Sequence, residues 1–178
     1  MFAVYTYSIA GLIVISLTVF VQNIVAAVAH RKQSRYIPGK VSEELSHDSF
    51  VFRSHRTFHN SLENIHQFTL PALLCMFLGA PTDILAILVW AFALSRITHM
   101  ALYYAIATEK NPSPRSYFYM VGTLCTLGVF GLAFFSLFTW IYFLEESSLY
   151  FSINKKHLNY ERSMDMRPLG QSLRVEDS

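Results

Sequence analysis

Apolar residues fall into four long blocks almost free of charge, near 2–29, 54–79, 84–107 and 116–144. Each is long enough for a helix that crosses a bilayer, which takes about 20 apolar residues. The breaks between blocks carry turn and loop signals. Pro38-Gly39 and the acidic stretch "SEELSHD" lie in the first, about 30–52, and read as a turn followed by solvated chain. Gly79-Ala80-Pro81 makes the second a tight stop, so helices 2 and 3 are expected to be antiparallel neighbours. "EKNPSP" makes the third a short turn, and Pro114 stands at or near the first position of helix 4, where proline is tolerated. Pro71 inside helix 2 predicts a mild kink. Gly122, Gly128 and Gly131 in helix 4 allow close helix packing. The pattern predicts an all-α integral membrane protein, a four-helix transmembrane bundle over 1–144 with a polar, flexible C-terminal tail over 145–178.

Composition agrees with this. Of 178 residues, 53% are hydrophobic and 15% charged, against about 25% charged in a soluble domain. The net charge of +2 matters less than its distribution. Arg31, Lys32, Arg35 and Lys40 follow helix 1, and Lys110 and Arg115 follow helix 3, whereas "GAPTDI" has no Lys or Arg. The positive-inside rule then places loops one and three in the cytoplasm and both termini on the opposite side. The membrane is expected to be a bacterial inner membrane or the endoplasmic reticulum. Helix 1 lacks a basic start and a small-residue cleavage site, so it reads as a span rather than a signal peptide. Cys75 and Cys125 lie deep in apolar sequence and read as small fillers. No nucleic-acid partner is expected.

Polar residues inside the blocks carry the candidate chemistry, because charge at the mouth of a membrane helix is expensive unless it serves a purpose. Arg53, Arg56, Asn60 and Glu63 are spaced i, i+3, i+7, i+10. At about 100° per residue they share an arc of about 80°. Arg96, His99 and Tyr103 on helix 3 share an arc of about 60°. Arg115, Ser116 and Tyr119 open helix 4. All three sets are expected at one end of the bundle, in its cytoplasmic half. Four guanidiniums, permanently charged, face a single carboxylate, Glu63. Such a site calls for an anion, and arginine favours carboxylates and phosphates. Glutathione, with two carboxylates, one ammonium and a thiol, fits this inventory. Arg115 and Ser116 at a helix N-terminus would favour its thiolate. Taken singly, Arg53 and Arg115 also read as headgroup anchors, and Tyr103 and Tyr119 as interfacial aromatics. Gln22 and Asn23 on helix 1 read as interhelical hydrogen-bonding groups. His55, His59, His66 and Glu63 form a possible metal stripe, but no further clustered histidines accompany them, so no metal is expected.

These residues resemble the MAPEG family, the membrane-associated proteins of eicosanoid and glutathione metabolism. "RSHRTFHNSLEN" is similar to that family's R-x-x-R-x-x-x-N-x-x-E-N signature, "SRITHMALYY" to its R-x-x-H-x-x-x-Y signature, and "PSPRSYFY" to the proline-flanked arginine that opens its fourth helix. The resemblance covers about 1–144. It implies a four-helix protomer, a homotrimer, and glutathione held between adjacent protomers. By position, Arg56, Asn60, Glu63, His99 and Tyr103 match glutathione contacts, and Arg115 matches the thiolate-stabilising residue. Ser116 and Tyr119 match neighbours of the thiol, and Arg53 and Arg96 match structural or gating arginines. His30, Arg31 and Lys32 are candidates for a contact donated from helix 1. The chain departs from the prostaglandin E synthase branch at His59, from the cysteinyl-leukotriene synthase branch at Asn64, and from the proline frequent in the family at Gln67, and its "LEN" text leans toward the microsomal glutathione transferase branch and its bacterial relatives. The implied activity is a glutathione transferase, with peroxidase or isomerase activity as variants, acting on lipophilic small molecules that arrive through membrane lipid. The alternative is a non-enzymatic lipid-binding scaffold like the 5-lipoxygenase-activating member.

Overall fold

A computed structural model describes residues 2–34, 37–110 and 112–165. Arg35, counted above in the basic loop, and residues 166–178 of the tail lie outside the described residues. A short 3-10 turn, Phe2–Tyr5, leads into α1 (Thr6–Arg31), followed by α2 (Phe50–Phe77), α3 (Thr82–Ala105) and α4 (Pro114–Asp165). The chain divides into two compact units, Met1–Leu137 and Phe138–Ser178.

In the first unit each helix buries a narrow stripe. On α1 the stripe is Ser8, Gly11, Ile15, Gln22 and Ala29. On α4 it is Cys125, Val129, Leu132 and Ser136. Phe68 of α2 and Phe92 of α3 stack at the centre, ring centroids 3.8 Å apart and 8° from parallel. Gly11 is small because it must be: a Cβ there would lie 2.5 Å from Val89 Cγ1. Cys75 and Cys125 are free and buried, and the Cys75 thiol points at the Val129 carbonyl, 3.7 Å away.

Helix α2 passes through Pro71 without ending. It ends in a Schellman motif. Gly79 takes φ +72°, the Ala80 N–H donates to the Cys75 carbonyl at 2.9 Å and the Gly79 N–H to Met76 at 3.4 Å. Pro81 then starts α3. The Tyr5 hydroxyl donates to the Ala80 carbonyl at 2.6 Å and pins the N-terminal turn to this corner.

Three of the helical stretches are long and apolar enough to cross a membrane: Ala3–Arg31, Thr82–Ala105 and Pro114–Tyr160. Helix α2 is not among them, contrary to the expectation of four. Its first two thirds carry Arg53, His55, Arg56, His59, Asn60, Glu63, Asn64, His66 and Gln67, which lower its hydropathy. A second correction concerns the tail. Helix 4 was expected to stop at 144, yet residues 145–165 are helical and α4 ends at Asp165. No proline or glycine interrupts the stretch before Pro168, so nothing breaks the backbone pattern where the polarity changes. Within the second unit, residues 138–160 are helical and exposed throughout.

Candidate functional site

The three polar sets converge inside the first unit. Arg96 is only 5% exposed. Its Nη2 donates to Asn60 Oδ1 at 2.7 Å and to Ser61 Oγ at 3.0 Å, which joins α3 to α2. His99, a turn further on, is 4% exposed, and its Nδ1 has no partner among the described residues. Its ring lies 5.4 Å from Tyr103 and 6.5 Å from Tyr119, which joins α3 to α4. The Arg115 guanidinium stands 4.1 Å from the centre of the Tyr103 ring. Tyr119 itself is 40% exposed.

The start of α4 explains how Arg115 is held. Pro114 opens the helix and Ser113 precedes it. The Ser113 N–H donates to Ser116 Oγ at 3.2 Å, and the Ser116 N–H donates back to the Ser113 carbonyl at 2.9 Å. Ser116, expected beside a thiol, thus uses its Oγ to accept the N–H of the residue before the helix, one half of a capping box, and lies 3.1 Å from Ser113 Oγ. The turn it fixes carries Arg115, whose Nη2 donates to the Thr108 carbonyl at 2.9 Å. The buried Nη1 has no acceptor among the described residues.

His47 was not singled out from the sequence, and "SEELSHD" was read as solvated. The structure folds this part of loop one onto the site. Arg115 Nη2 lies 3.5 Å from His47 Nδ1 and 3.4 Å from its Nε2. The imidazole also meets Phe52 edge-on at 5.0 Å and Tyr103 at 5.8 Å. Burial pushes His47 below the ordinary histidine value and Arg115 pushes the same way; Glu109 pulls upward, and Arg53 and Arg56 add lesser downward pushes. The neutral ring is therefore the favoured form, with one nitrogen able to accept from Arg115.

Arg53 holds this loop in place. Its Nη1 donates to the carbonyls of His47 at 2.5 Å and Asp48 at 3.0 Å, and its Nη2 to Tyr104 at the end of α3 at 3.5 Å. A headgroup anchor would point outward, whereas this arginine ties α2, α3 and loop one together. Arg56 and Glu63 are exposed and make no side-chain hydrogen bond among the described residues. The sequence stripe thus divides, with Arg53 and Asn60 turned into the bundle and Arg56 and Glu63 on the open face of the single chain. Gln22 is fully buried, and neither of its polar side-chain atoms has a partner among the described residues. No group of three or more His, Cys, Asp or Glu among those residues is placed to hold a metal ion.

With this geometry in hand, the comparison with known families is decisive. A model of the MAPEG family matches residues 7–135. The chain belongs to the MAPEG family. That family includes both glutathione transferases and activating proteins, so membership alone does not assign an activity to this member. No curated protein and no solved structure matches the chain. The match covers α1 to α3 and the part of α4 that carries Arg115, Tyr119 and the buried stripe down to Leu132.

Proposed function

We propose that this MAPEG protein is a membrane-bound glutathione-dependent transferase or peroxidase acting on lipophilic electrophiles. One observation carries the reading: among the described residues, the Arg96 and Arg115 guanidiniums are held by neutral partners. Arg96 has Asn60 and Ser61, and Arg115 has the Thr108 carbonyl, His47 and the Tyr103 ring. Uncompensated positive charge in a partly desolvated site favours an anionic ligand, and the leftover Arg115 Nη1 donor suits a thiolate or carboxylate. The residues therefore fit glutathione, which supplies the nucleophilic thiolate when bound.

In this reading Arg115 stabilises the thiolate, and the cap made by Ser116 fixes the turn on which Arg115 sits. Asn60 spends its carbonyl on Arg96 and keeps its N–H groups for the ligand. His99 keeps Nδ1 for it as well. Tyr103 and Tyr119 form the aromatic wall beside them. Arg56 and Glu63 complete the site for a carboxylate and an ammonium. Their exposure in the single chain supports a homotrimer in which a neighbour closes this side. The loop-one end faces the cytoplasm, as its basic residues suggest. The "LEN" text of α2 leans toward the microsomal glutathione transferase branch.

The test is a conjugation assay with a soluble aryl halide and a hydroperoxide panel on detergent-purified protein. Arg115→Ala is expected to lose about 10²-fold in conjugation, the cost of removing one preorganised donor to a developing or stabilised anion, while still binding glutathione. Full activity in that variant removes Arg115 from the chemistry. Absence of glutathione binding by the wild type favours a lipid-binding scaffold instead.

A further inference from the structure

Making a thiolate in a partly desolvated site takes two groups, a cation to hold the sulfur and a base to take its proton. Arg115 is permanently protonated and serves only as the first. Ser116 Oγ accepts the Ser113 N–H and lies 3.1 Å from Ser113 Oγ. Imidazole is a far stronger base than a hydroxyl, and two imidazoles reach the site. His99 is 4% exposed, so a proton taken up there stays inside the bundle. His47 is half-buried, and its neighbours Ser46 and Asp48 are exposed. A proton taken up by His47 therefore passes to water.

The His47 ring is held from several sides. Arg53 grips the carbonyls of His47 and Asp48. Phe52 meets the ring edge-on at 5.0 Å, and Tyr103 lies 5.8 Å away. The same Tyr103 ring carries the Arg115 guanidinium at 4.1 Å, so imidazole and guanidinium share one aromatic platform. Arg115 Nη2 stands 3.4 Å from His47 Nε2 and 3.5 Å from Nδ1. Both contacts exceed the roughly 3 Å of a well-formed hydrogen bond, so the ring's lone pair is loosely held. A sulfur arriving at this edge of the guanidinium lies beside that lone pair. The charges facing the ring are Arg115 from α4, Arg53 and Arg56 from α2, and Glu109 from the connection before α4. The three cations favour the neutral ring, which is the form able to accept a proton.

We propose that His47 is the general base that removes the thiol proton of glutathione. The inference rests on the glutathione reading. The S–H bond breaks, its proton goes to the imidazole nitrogen that carries the lone pair, and the electron pair stays on the sulfur beside Arg115. The thiolate then forms its bond to the electrophilic carbon of an aryl halide, and the halide leaves with the electron pair of the broken bond. The imidazolium returns its proton to water. Transfer within the site leaves its net charge unchanged, since a cation and an anion appear together. The thiolate then faces two cations, which offsets the repulsion an imidazolium alone meets beside Arg115.

The test is the rate of thiolate formation. Full-length protein in detergent is mixed with saturating glutathione, and the thiolate is followed by stopped-flow ultraviolet absorption, less that of glutathione alone, across neutral pH. The wild-type rate should change little above neutrality. His47→Gln, which keeps an acceptor for Arg115, should bind glutathione as the wild type does. It should form thiolate about 10²-fold more slowly at neutral pH, the low end of what a general base supplies. Its rate should rise about tenfold per pH unit as hydroxide takes over the role of the imidazole. His47→Ala should regain rate in proportion to added imidazole. A wild-type rate in a folded His47→Gln variant overturns the proposal and leaves the glutathione reading standing. Loss of glutathione binding in that variant would make His47 a ligand contact and overturns the base assignment, as does a His47→Ala variant that imidazole fails to accelerate. A wild type that binds no glutathione overturns both readings.

Discussion

Protonation of His47 should loosen loop one from the candidate site. A neutral imidazole accepts from Arg115 Nη2, which lies 3.4 and 3.5 Å from its two nitrogens. The protonated ring has no acceptor left and places a second cation beside the guanidinium. At 3.5 Å, two unit charges repel by about 1 kcal/mol in bulk water and about 5 kcal/mol at an effective dielectric constant of about 20. His47 is only partly buried, so the solvent-screened end governs: about 1 kcal/mol, or about a fivefold change in loop opening. The sign follows from the direction of the shift. The folded-state value lies below the ordinary 6.5, so between the two values the unfolded chain binds more protons than the folded one. The stabilising contribution is present above about pH 6.5 and is lost as pH falls through 6.5 toward the folded value. Hydrogen–deuterium exchange over residues 42–49, corrected for intrinsic rates, should show this step in the wild type. His47→Gln, which keeps an acceptor but does not titrate, should flatten it. The same pH dependence in both proteins would refute the assignment of the step to His47.

Other consequences are structural. Gly11→Ala drives a methyl against the buried Val89, 2.5 Å away, and should cost about 1–3 kcal/mol, read as a lower midpoint of thermal unfolding in detergent; Val89→Ala in the same chain should restore most of it. Arg53→Ala removes the donors to His47, Asp48 and Tyr104 and should raise the rate of proteolytic nicking in loop one while the helices stay folded by circular dichroism. Arg96→Met strands Asn60 Oδ1 and Ser61 Oγ inside the bundle and should cost about 1–3 kcal/mol of stability, with Asn60→Leu in the same chain recovering part of the loss.

What the sequence made legible was periodic. The apolar blocks fixed the existence and order of the four helices, and Gly79-Ala80-Pro81 marked a stop that the structure realises as a Schellman motif. Spacing of three and four residues put Asn60, Arg96, His99, Tyr103 and Arg115 on inward or adjoining faces, because helix geometry alone decides that. Contacts made by loops were not legible. His47 sits in an acidic, polar stretch, and its approach to Arg115 depends on how Arg53 grips two carbonyls in the turn before α2. Arg53 and Ser116 were assigned by residue type, while their hydrogen bonds are set by neighbours that no periodicity reveals. The length of α4 is not legible from polarity, because a helix ends where its backbone is broken or capped, and α4 runs on through the polar stretch to Asp165. The division of the arginine–glutamate stripe between inward and open faces also needed the packed bundle.

The central claim is that Arg115 holds glutathione as a thiolate. Ultraviolet difference absorption of the thiolate on mixing glutathione with the purified protein at neutral pH measures it directly. The wild type should show a thiolate band that saturates with glutathione, and Arg115→Ala should bind glutathione, by calorimetry, without the band. An unchanged band in Arg115→Ala, or glutathione bound by the wild type with its thiol still protonated, would contradict the account.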